Sequence, residues 1–231
     1  MTEGTGPVRT DALRSKRAAA VVFLRNGSGR VAVPVLAIVL VLRMALGGWS
    51  WHDALMVAIV ALLTGPVEWL LHLKVLHAGA ESFATRRLGL GLGHRQHHLD
   101  PPELRWLLLS GVEMAIFLAL LAMVTLAWSL PLMWVLGGGL VGGAVSAFVA
   151  TVAAATHYEW THLLIHTAYR PRSRFYARLA RNHRRHHYRN EAYWLGVTSN
   201  LGDRLLGTLP AADERVPLSA TARTLGADTG S

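Results

Sequence analysis

Four long apolar stretches, separated by polar segments, run along this chain of 231 residues. Each approaches or exceeds the ~17 to 25 residues that a helix needs to cross a bilayer. A turn at Trp49–Asp53 separates the first two stretches, and Ser129–Leu130–Pro131 separates the last two. The pattern therefore predicts an all-α integral membrane domain with four transmembrane helices, at residues 31–48, 54–71, 106–130 and 131–155.

Composition and charge add an orientation. The chain is 52% hydrophobic and only 16% charged, against about 25% charged in an average soluble protein. All of its 23 Lys and Arg except Arg43 fall on one side of the predicted helices. The positive-inside rule makes that side cytoplasmic, with both termini there, and Arg43 is expected to reach water from the opposite helix end. A basic soluble protein could bind nucleic acid, but it would not contain such long apolar runs. The expected partner is therefore a membrane, and no nucleic acid is expected to bind.

These features divide the chain into three parts. Residues 1–30 are polar and basic and form a cytoplasmic N-terminal segment. Residues 31–210 form the membrane domain and contain the candidate metal-binding and catalytic residues. Residues 211–231 are small and polar and show no apolar period, which predicts a disordered tail.

Ten of the twelve histidines fall into four clusters with the spacings HxxxxH, HxxHH, HxxxH and HxxHH, all on the predicted cytoplasmic side. Residues three and four apart share one face of a helix, so each HxxHH or HxxxH directs at least two imidazoles the same way. Imidazole is a common metal ligand, and ten ring nitrogens suit two ions with about five ligands each. The predicted ligands are His72, His77, His94, His97, His98, His162, His166, His183, His186 and His187.

The identity of the metal follows less directly. The chain has no cysteine, which excludes thiolate zinc sites, cysteine-ligated iron–sulfur clusters and thiolate-ligated haem. Imidazole binds zinc, copper, iron and nickel alike, but a site within reach of a lipid chain favours redox chemistry. We therefore expect two non-haem iron ions, which zinc can replace in preparations, and O2 as co-substrate. Taken alone, the cluster within Asn182–His187 could instead be a basic patch that contacts phosphates. The remaining two histidines, His52 and His157, lie outside the four clusters and are not predicted ligands.

The sequence around the first three clusters resembles the fatty acid hydroxylase and sterol desaturase superfamily. The string Glu68–His72, followed by His77, is similar to the opening motif E-Y/W-L-x-H-x4-H, and Gly93–His98 is similar to the next motif. The string Tyr158–His162, followed by His166, resembles Y-D-x-T-H-x3-H, although the family often has Asp at the position of Glu159.

The resemblance continues to residue 208. The string Asn182–His187 matches the last HxxHH, and Gly196–Thr208 resembles the closing G-V/I-T-x4-D-x3-G-T. Gly202 departs from this pattern, because the family often has Trp there, and this puts the local packing in doubt.

The likeness, closest to the fatty acid 2-hydroxylases, implies a monooxygenase that hydroxylates a fatty acid or the acyl chain of a lipid. It implies two non-haem irons with all ten clustered histidines as ligands, and four membrane helices with a cytoplasmic helical cap that holds the metals. It also implies two electrons per turnover. We expect these from a separate protein, a ferredoxin or a small haem cytochrome with its reductase.

Three carboxylates are predicted to orient the histidines by accepting a hydrogen bond from the second ring nitrogen. Glu68 is four residues before His72, Glu159 is three residues before His162, and Asp203 lies in the closing motif. These three are the candidate residues that support catalysis without binding the metal.

Other charged residues have weaker assignments. Glu113 lies inside the third predicted span, where an acid is costly, and receives no role. Arg170, Arg172 and Arg174 are expected to face anionic lipid headgroups, or the carboxylate or headgroup of a substrate.

Three alternatives stay open. A carotenoid ring hydroxylase shares the order of the clusters, but the 16 residues between His77 and His94 resemble the fatty acid enzymes more. Sterol-type desaturases or hydroxylases of the superfamily more often open with HxxxH, whereas the first cluster here is HxxxxH, so the spacing disfavours them. A non-enzymatic metal-binding membrane protein would need polar or histidine residues along the spans. The four predicted spans are nearly free of them, with Glu68 and Glu113 as the main exceptions, so the sequence disfavours this alternative.

Overall fold

The computed structural model describes residues 8–226, and the regular secondary structure in this range is helical, with an isolated bridge between Arg9 and Glu103 and no β-sheet. This confirms the predicted all-α class. The helices are α1 (Lys16–Arg25), α2 (Gly29–Leu46), α3 (Trp51–Leu71), a π-helix (His72–Leu76), α4 (Phe83–Leu88), α5 (Leu92–Leu99), α6 (Leu104–Leu107), α7 (Gly111–Val135), α8 (Leu140–Ile165), α9 (Arg174–Tyr188) and α10 (Leu201–Leu205).

Four helical segments in the described range are long and apolar enough to cross a membrane, as predicted. They are Gly29–Leu46, Trp51–Leu76, Leu104–Val135 and Leu140–Ile165. Large apolar side chains such as Ile38, Leu62 and Val124 point outward from these helices, each at least 63% exposed. An outward apolar surface of this kind marks contact with lipid.

The turn between the last two spans is not where the sequence predicts it. Helix α7 continues through Pro131 to Val135, and the chain turns at residues 136–139. Proline inside the helix removes one hydrogen bond, whereas Gly137 adopts a φ of 66°, which favours glycine. The predicted turn at Ser129–Leu130–Pro131 is therefore wrong.

The chain forms two compact units. The first, the helical unit, comprises residues 20–64 and 109–160. Two clusters of buried side chains hold its helices together, with Ala32, Met114, Leu118 and Val152 in one and Met56, Met133 and Ala147 in the other. Glu113 is exposed in the first turn of α7 and forms a capping box with Ser110, so the acid stabilises a helix start.

Arg43 is buried in the helical unit instead of extending to water. Its Nε and Nη2 lie 3.0 and 2.5 Å from Asp53 Oδ1, and Nε donates to Ser146 Oγ at 2.7 Å. Nη1 donates to the Gly47 carbonyl, and the guanidinium stacks on Trp49 at 3.8 Å. The snorkelling prediction is wrong because Asp53 neutralises the charge in place and the other donors are satisfied.

The second unit, the histidine unit, comprises the described residues up to Ala19 together with 65–108 and 161–226. Its last stretch contradicts the prediction of a disordered tail from residue 211: Val216 and Ala222 are buried, and the Ser219 amide donates to the Arg189 carbonyl at 2.8 Å. The segment is held through its backbone and small side chains, which leave no apolar period. Residues 227–231 of the predicted tail, like residues 1–7 of the predicted N-terminal segment, lie outside the described residues.

Candidate metal centre

All ten clustered histidines lie in the histidine unit, and they form two groups of five. Within each group, one ring nitrogen per residue lies within 4.8 Å of the others. The first histidine group is His72, His77, His94, His98 and His186, and the second histidine group is His97, His162, His166, His183 and His187. The structure thus brings together every histidine that the spacings predicted, while His52 and His157 belong to neither group.

Each HxxHH motif contributes to both groups. On α5, His94 and His98 belong to the first group and His97 to the second. On α9, His183 and His187 belong to the second group and His186 to the first, so the assignment is reversed. The reason is helical geometry, since residues four apart point nearly the same way and their neighbour diverges by about 100°. HxxHH is therefore the spacing of a helix that lies between two adjacent ion sites.

The HxxxxH motif needs a different backbone. In an α-helix with 3.6 residues per turn, two residues five apart point in different directions. The chain solves this with the π-helix at His72–Leu76, where the His77 amide donates to the His72 carbonyl at 3.0 Å. The wider turn brings the two ring centroids to 4.8 Å. π-helical turns are rare and occur often at functional sites.

The ring nitrogens fit a cation. Nε2 of His183 lies 3.0 to 3.1 Å from Nε2 of three other histidines of its group, and Nε2 of His72 lies 3.2 Å from that of His94. Two nitrogens bound to one ion at about 2.1 Å and at a right angle would be about 3 Å apart. Within residues 8–226, Nε2 of His77, His98 and His186 is buried without a hydrogen-bond partner. A shared positive charge would satisfy these lone pairs.

The rings are also in the protonation state that a metal requires. Burial, reinforced by the neighbouring rings, holds the pKa of His77, His94, His97, His183, His186 and His187 well below its ordinary value. Burial lowers the pKa of His98 to about 4 and that of His166 to about 3. These imidazoles are therefore neutral at physiological pH, with a lone pair for a cation.

Backbone carbonyls fix the orientation of three rings in the first group. Nδ1 of His72 lies 2.6 Å from the Leu195 carbonyl, and Nδ1 of His186 lies 2.9 Å from the Tyr193 carbonyl. Nδ1 of His98 lies 2.8 Å from the carbonyl of Ala222. A carbonyl can only accept, so Nδ1 carries the proton in each ring and Nε2 keeps the lone pair.

Two of the predicted carboxylates act one step further away. Glu68 accepts hydrogen bonds from the amides of Val197 and Thr198 and from the Thr198 hydroxyl. Asp203 accepts from the Leu195 and Gly196 amides at 2.9 and 2.8 Å, and burial raises the pKa of Asp203. The two acids thus anchor the closing loop (residues 193–198), whose carbonyls orient His72 and His186.

Glu159 lies in the helical unit, buried, and accepts from the Ser28 hydroxyl and, at 3.2 Å, from the Leu109 amide. The hydrogen bonds described for the three predicted carboxylates therefore come from backbone amides and hydroxyl groups. Buried carboxylates here satisfy backbone amides and hydroxyls, and the closing-loop carbonyls of Leu195 and Tyr193 take the N–H donors of His72 and His186.

Two features, one in the closing loop and one on α10, had little signal in the sequence. Trp194 is buried and has a φ of 56°, which is uncommon for a residue other than glycine, and it lies between the two accepting carbonyls. Gly202 lies so close to Gly65 that a Cβ would be 2.6 Å from the Gly65 carbonyl oxygen. This close approach explains why a glycine stands where the motif often has Trp, but only the structure reveals it.

Comparisons with known proteins agree with this arrangement. The profile of the fatty acid hydroxylase family matches residues 55–208. The dihydroceramide fatty acyl 2-hydroxylase FAH2 of Arabidopsis thaliana is 26% identical over 178 residues, which cover 77% of this chain and 70% of that protein. A solved structure described as full-length Scs7p, with only the hydroxylase domain visible, superposes with a TM-score of 0.63 at 21% identity, covering 92% of this chain and 71% of the other. The structural likeness shows a shared fold.

Proposed function

The chain belongs to the fatty acid hydroxylase family, and from this premise we propose that it is a membrane-bound monooxygenase that hydroxylates the acyl chain of a fatty acid or lipid. The observation that carries the proposal is the convergence of ten buried or half-buried imidazoles into two groups of five, within the stretch that the family profile matches. The likeness to a dihydroceramide fatty acyl 2-hydroxylase makes carbon 2 of an amide-linked acyl chain the first position to examine.

We propose that each histidine group holds one iron. Bound iron would supply the activation of O2 that the cleavage of an unactivated C–H bond requires. In the overall reaction, one oxygen atom enters the C–H bond and the other leaves as water, with two electrons from a donor protein and two protons. The chain's own residues keep the imidazoles neutral, orient them through the carbonyls of Tyr193, Leu195 and Ala222, and exclude water by burial.

We propose further that the histidine unit and both termini face the cytoplasm, because nearly all Lys and Arg lie on that side of the four spans. One surface there suits an electron donor. Helix α9 carries Arg178, Arg181 and Arg185, and Arg189 follows its last residue. These four form the arginine face, which lines a cavity of about 560 Å³. All four are exposed, and residues 170–189 contain no Asp or Glu. We expect an acidic donor protein to dock on this face, one helix away from the rings.

The experiment that tests the function is a mass-spectrometric profile of lipids from cells that express the chain under ¹⁸O2. We expect acyl chains that carry one ¹⁸O hydroxyl with the wild type, and none with His183→Ala at matched expression. His157→Ala is the control, because this exposed histidine lies outside both groups. Labelled carotenoid or sterol products instead of acyl products would assign the chain to those branches of the superfamily. The absence of any labelled lipid, with iron bound and a donor present, would refute the proposal.

A further inference from the structure

The last described residues run back over the histidine unit as a C-terminal strap (residues 216–226), beyond the stretch that the family profile matches. We propose that this strap positions His98 and thereby determines how tightly the first histidine group retains its metal. The inference rests on the proposed metal site at that group, and it adds a segment and a selective role that the ligand motifs do not contain.

The direct contact is between the strap's backbone and one predicted ligand. Nδ1 of His98 donates to the carbonyl of Ala222 at 2.8 Å, and Ala222 is only 1% exposed. Nε2 of the same ring is buried and has no partner within the described residues. An N–H partner of this kind fixes the tautomer and the ring orientation and makes the ligand nitrogen more basic.

The strap is anchored on both sides of this contact. Before Ala222, the hydroxyls of Ser219 and Thr221 donate to Glu191 Oε1 at 2.9 and 2.5 Å. After it, the carbonyl of Leu225 accepts from Nε of Arg95, at 3.3 Å, on the same helix as His98. The carbonyl of Ala222 is thus held from two directions and is not a chance contact of a loose end.

A second set of bonds joins the start of the strap to the end of α9. Nε of Arg189 donates to the Val216 carbonyl at 2.7 Å, and Nδ2 of Asn190 donates to the Pro217 carbonyl at 3.2 Å. Val216 is itself buried. The strap therefore connects the end of α9 to α5, the two helices that carry the HxxHH motifs.

The strap's contact with the rings is one-sided. Among the hydrogen bonds described for residues 211–226, the one to a histidine ring is that of His98, a member of the first histidine group. Rings of the second histidine group contact one another through Nε2 of His183. Loss of the strap should therefore weaken one ion site and spare the other, whereas general unfolding would release both.

The test measures metal release from purified protein in detergent, loaded with Co²⁺ alone so that the result does not depend on activity. Three variants are compared with the full chain: a truncation after Glu214, the double variant Ser219→Ala/Thr221→Ala, and Leu218→Ala as control, because the Leu218 side chain is 73% exposed. Release to a chelator is followed through the cobalt absorption bands, and circular dichroism reports the helix content.

We expect two ions per chain in the full protein and in Leu218→Ala. In the truncated protein one ion should leave about 10- to 100-fold faster, with the other unchanged, and the double variant should lie between. A synthetic peptide of residues 215–226 should restore slow release, and a scrambled peptide should not. Unchanged release, or equal acceleration of both ions, would overturn the strap alone. A full chain that binds no metal would overturn the strap together with the proposed function.

Discussion

The two histidine groups use the same side chain but are supported differently. In the second group, Nε2 of His183 lies within 3.1 Å of Nε2 of His162, His166 and His187. His162 is on α8, His166 directly follows α8, and His183 and His187 are on α9. In the first group, His72, His98 and His186 depend on carbonyls from non-helical chain.

This difference shows which parts of the chain fix the ring positions in each histidine group. The rings around His183 converge through the close spacing of residues on α9 and at the end of α8, which is a local property of the sequence, and His162 adds one backbone partner, Leu107. The rings of the first group need the closing loop and the C-terminal strap to fold back and supply acceptors. We therefore expect the first group to be the more labile of the two.

The largest expected effect comes from His183→Ala, which removes the nitrogen around which the second group converges. Hydroxylation should fall by more than about 100-fold, the upper end of the loss seen when even an outer partner of a ligand is removed. Metal analysis should find the ion of the second group lost and that of the first retained. Simultaneous loss of both ions would show that the groups are not separable.

A tenfold to hundredfold effect, confined to the first group, is expected from Glu68→Gln. The substitution keeps the shape of the side chain but replaces an acceptor oxygen with an NH2 group opposite backbone amides, so the closing loop that orients His72 should loosen. Retention of the first ion should fall about 10- to 100-fold, measured as chelator release. Asp213→Asn, on the exposed stretch before the strap, serves as the control. Equal weakening of the second ion would contradict the comparison.

The smallest effect should come from the arginine face and should spare both groups. Arg178→Glu/Arg181→Glu is expected to slow turnover with an acidic donor protein by about tenfold at low salt, the lower end of electrostatic steering effects. The deficit should shrink as salt screens the charges, and turnover with a small uncharged reductant should not change.

The matched control for the arginine face is Arg87→Glu, an exposed arginine on α4 outside it. An equal loss with the small reductant would contradict the docking proposal. A loss that follows the anionic lipid content of the membrane, and not the donor, would assign the face to lipid headgroups.

The sequence alone was sufficient for the features that repeat along a helix. Apolar length predicted the four spans, and the HxxHH spacing predicted which rings would converge. It fails at two positions for different reasons. The sequence predicts a turn at Pro131, but α7 continues through this proline, and it predicts that Arg43 extends to water, but the buried guanidinium is paired with Asp53.

The support of the first group was beyond the reach of sequence patterns for another reason. Every residue has a backbone carbonyl, so the sequence does not indicate that the carbonyls of Leu195 and Ala222, rather than those of their neighbours, accept hydrogen bonds from histidine rings. The sequence predicts a supporting role for Glu68 and Asp203, but their action through the closing loop depends on long-range packing, including the close approach of Gly202 to Gly65.

The most direct test of the account is the number of metal ions per chain in protein purified from iron-supplied cells, measured by mass spectrometry for the wild type, His183→Ala and His77→Ala. We expect two ions in the wild type and one in each variant, with iron as the metal in the active preparation. Fewer than two ions in a wild-type protein that is fully helical and active would contradict it, as would two ions retained by either variant.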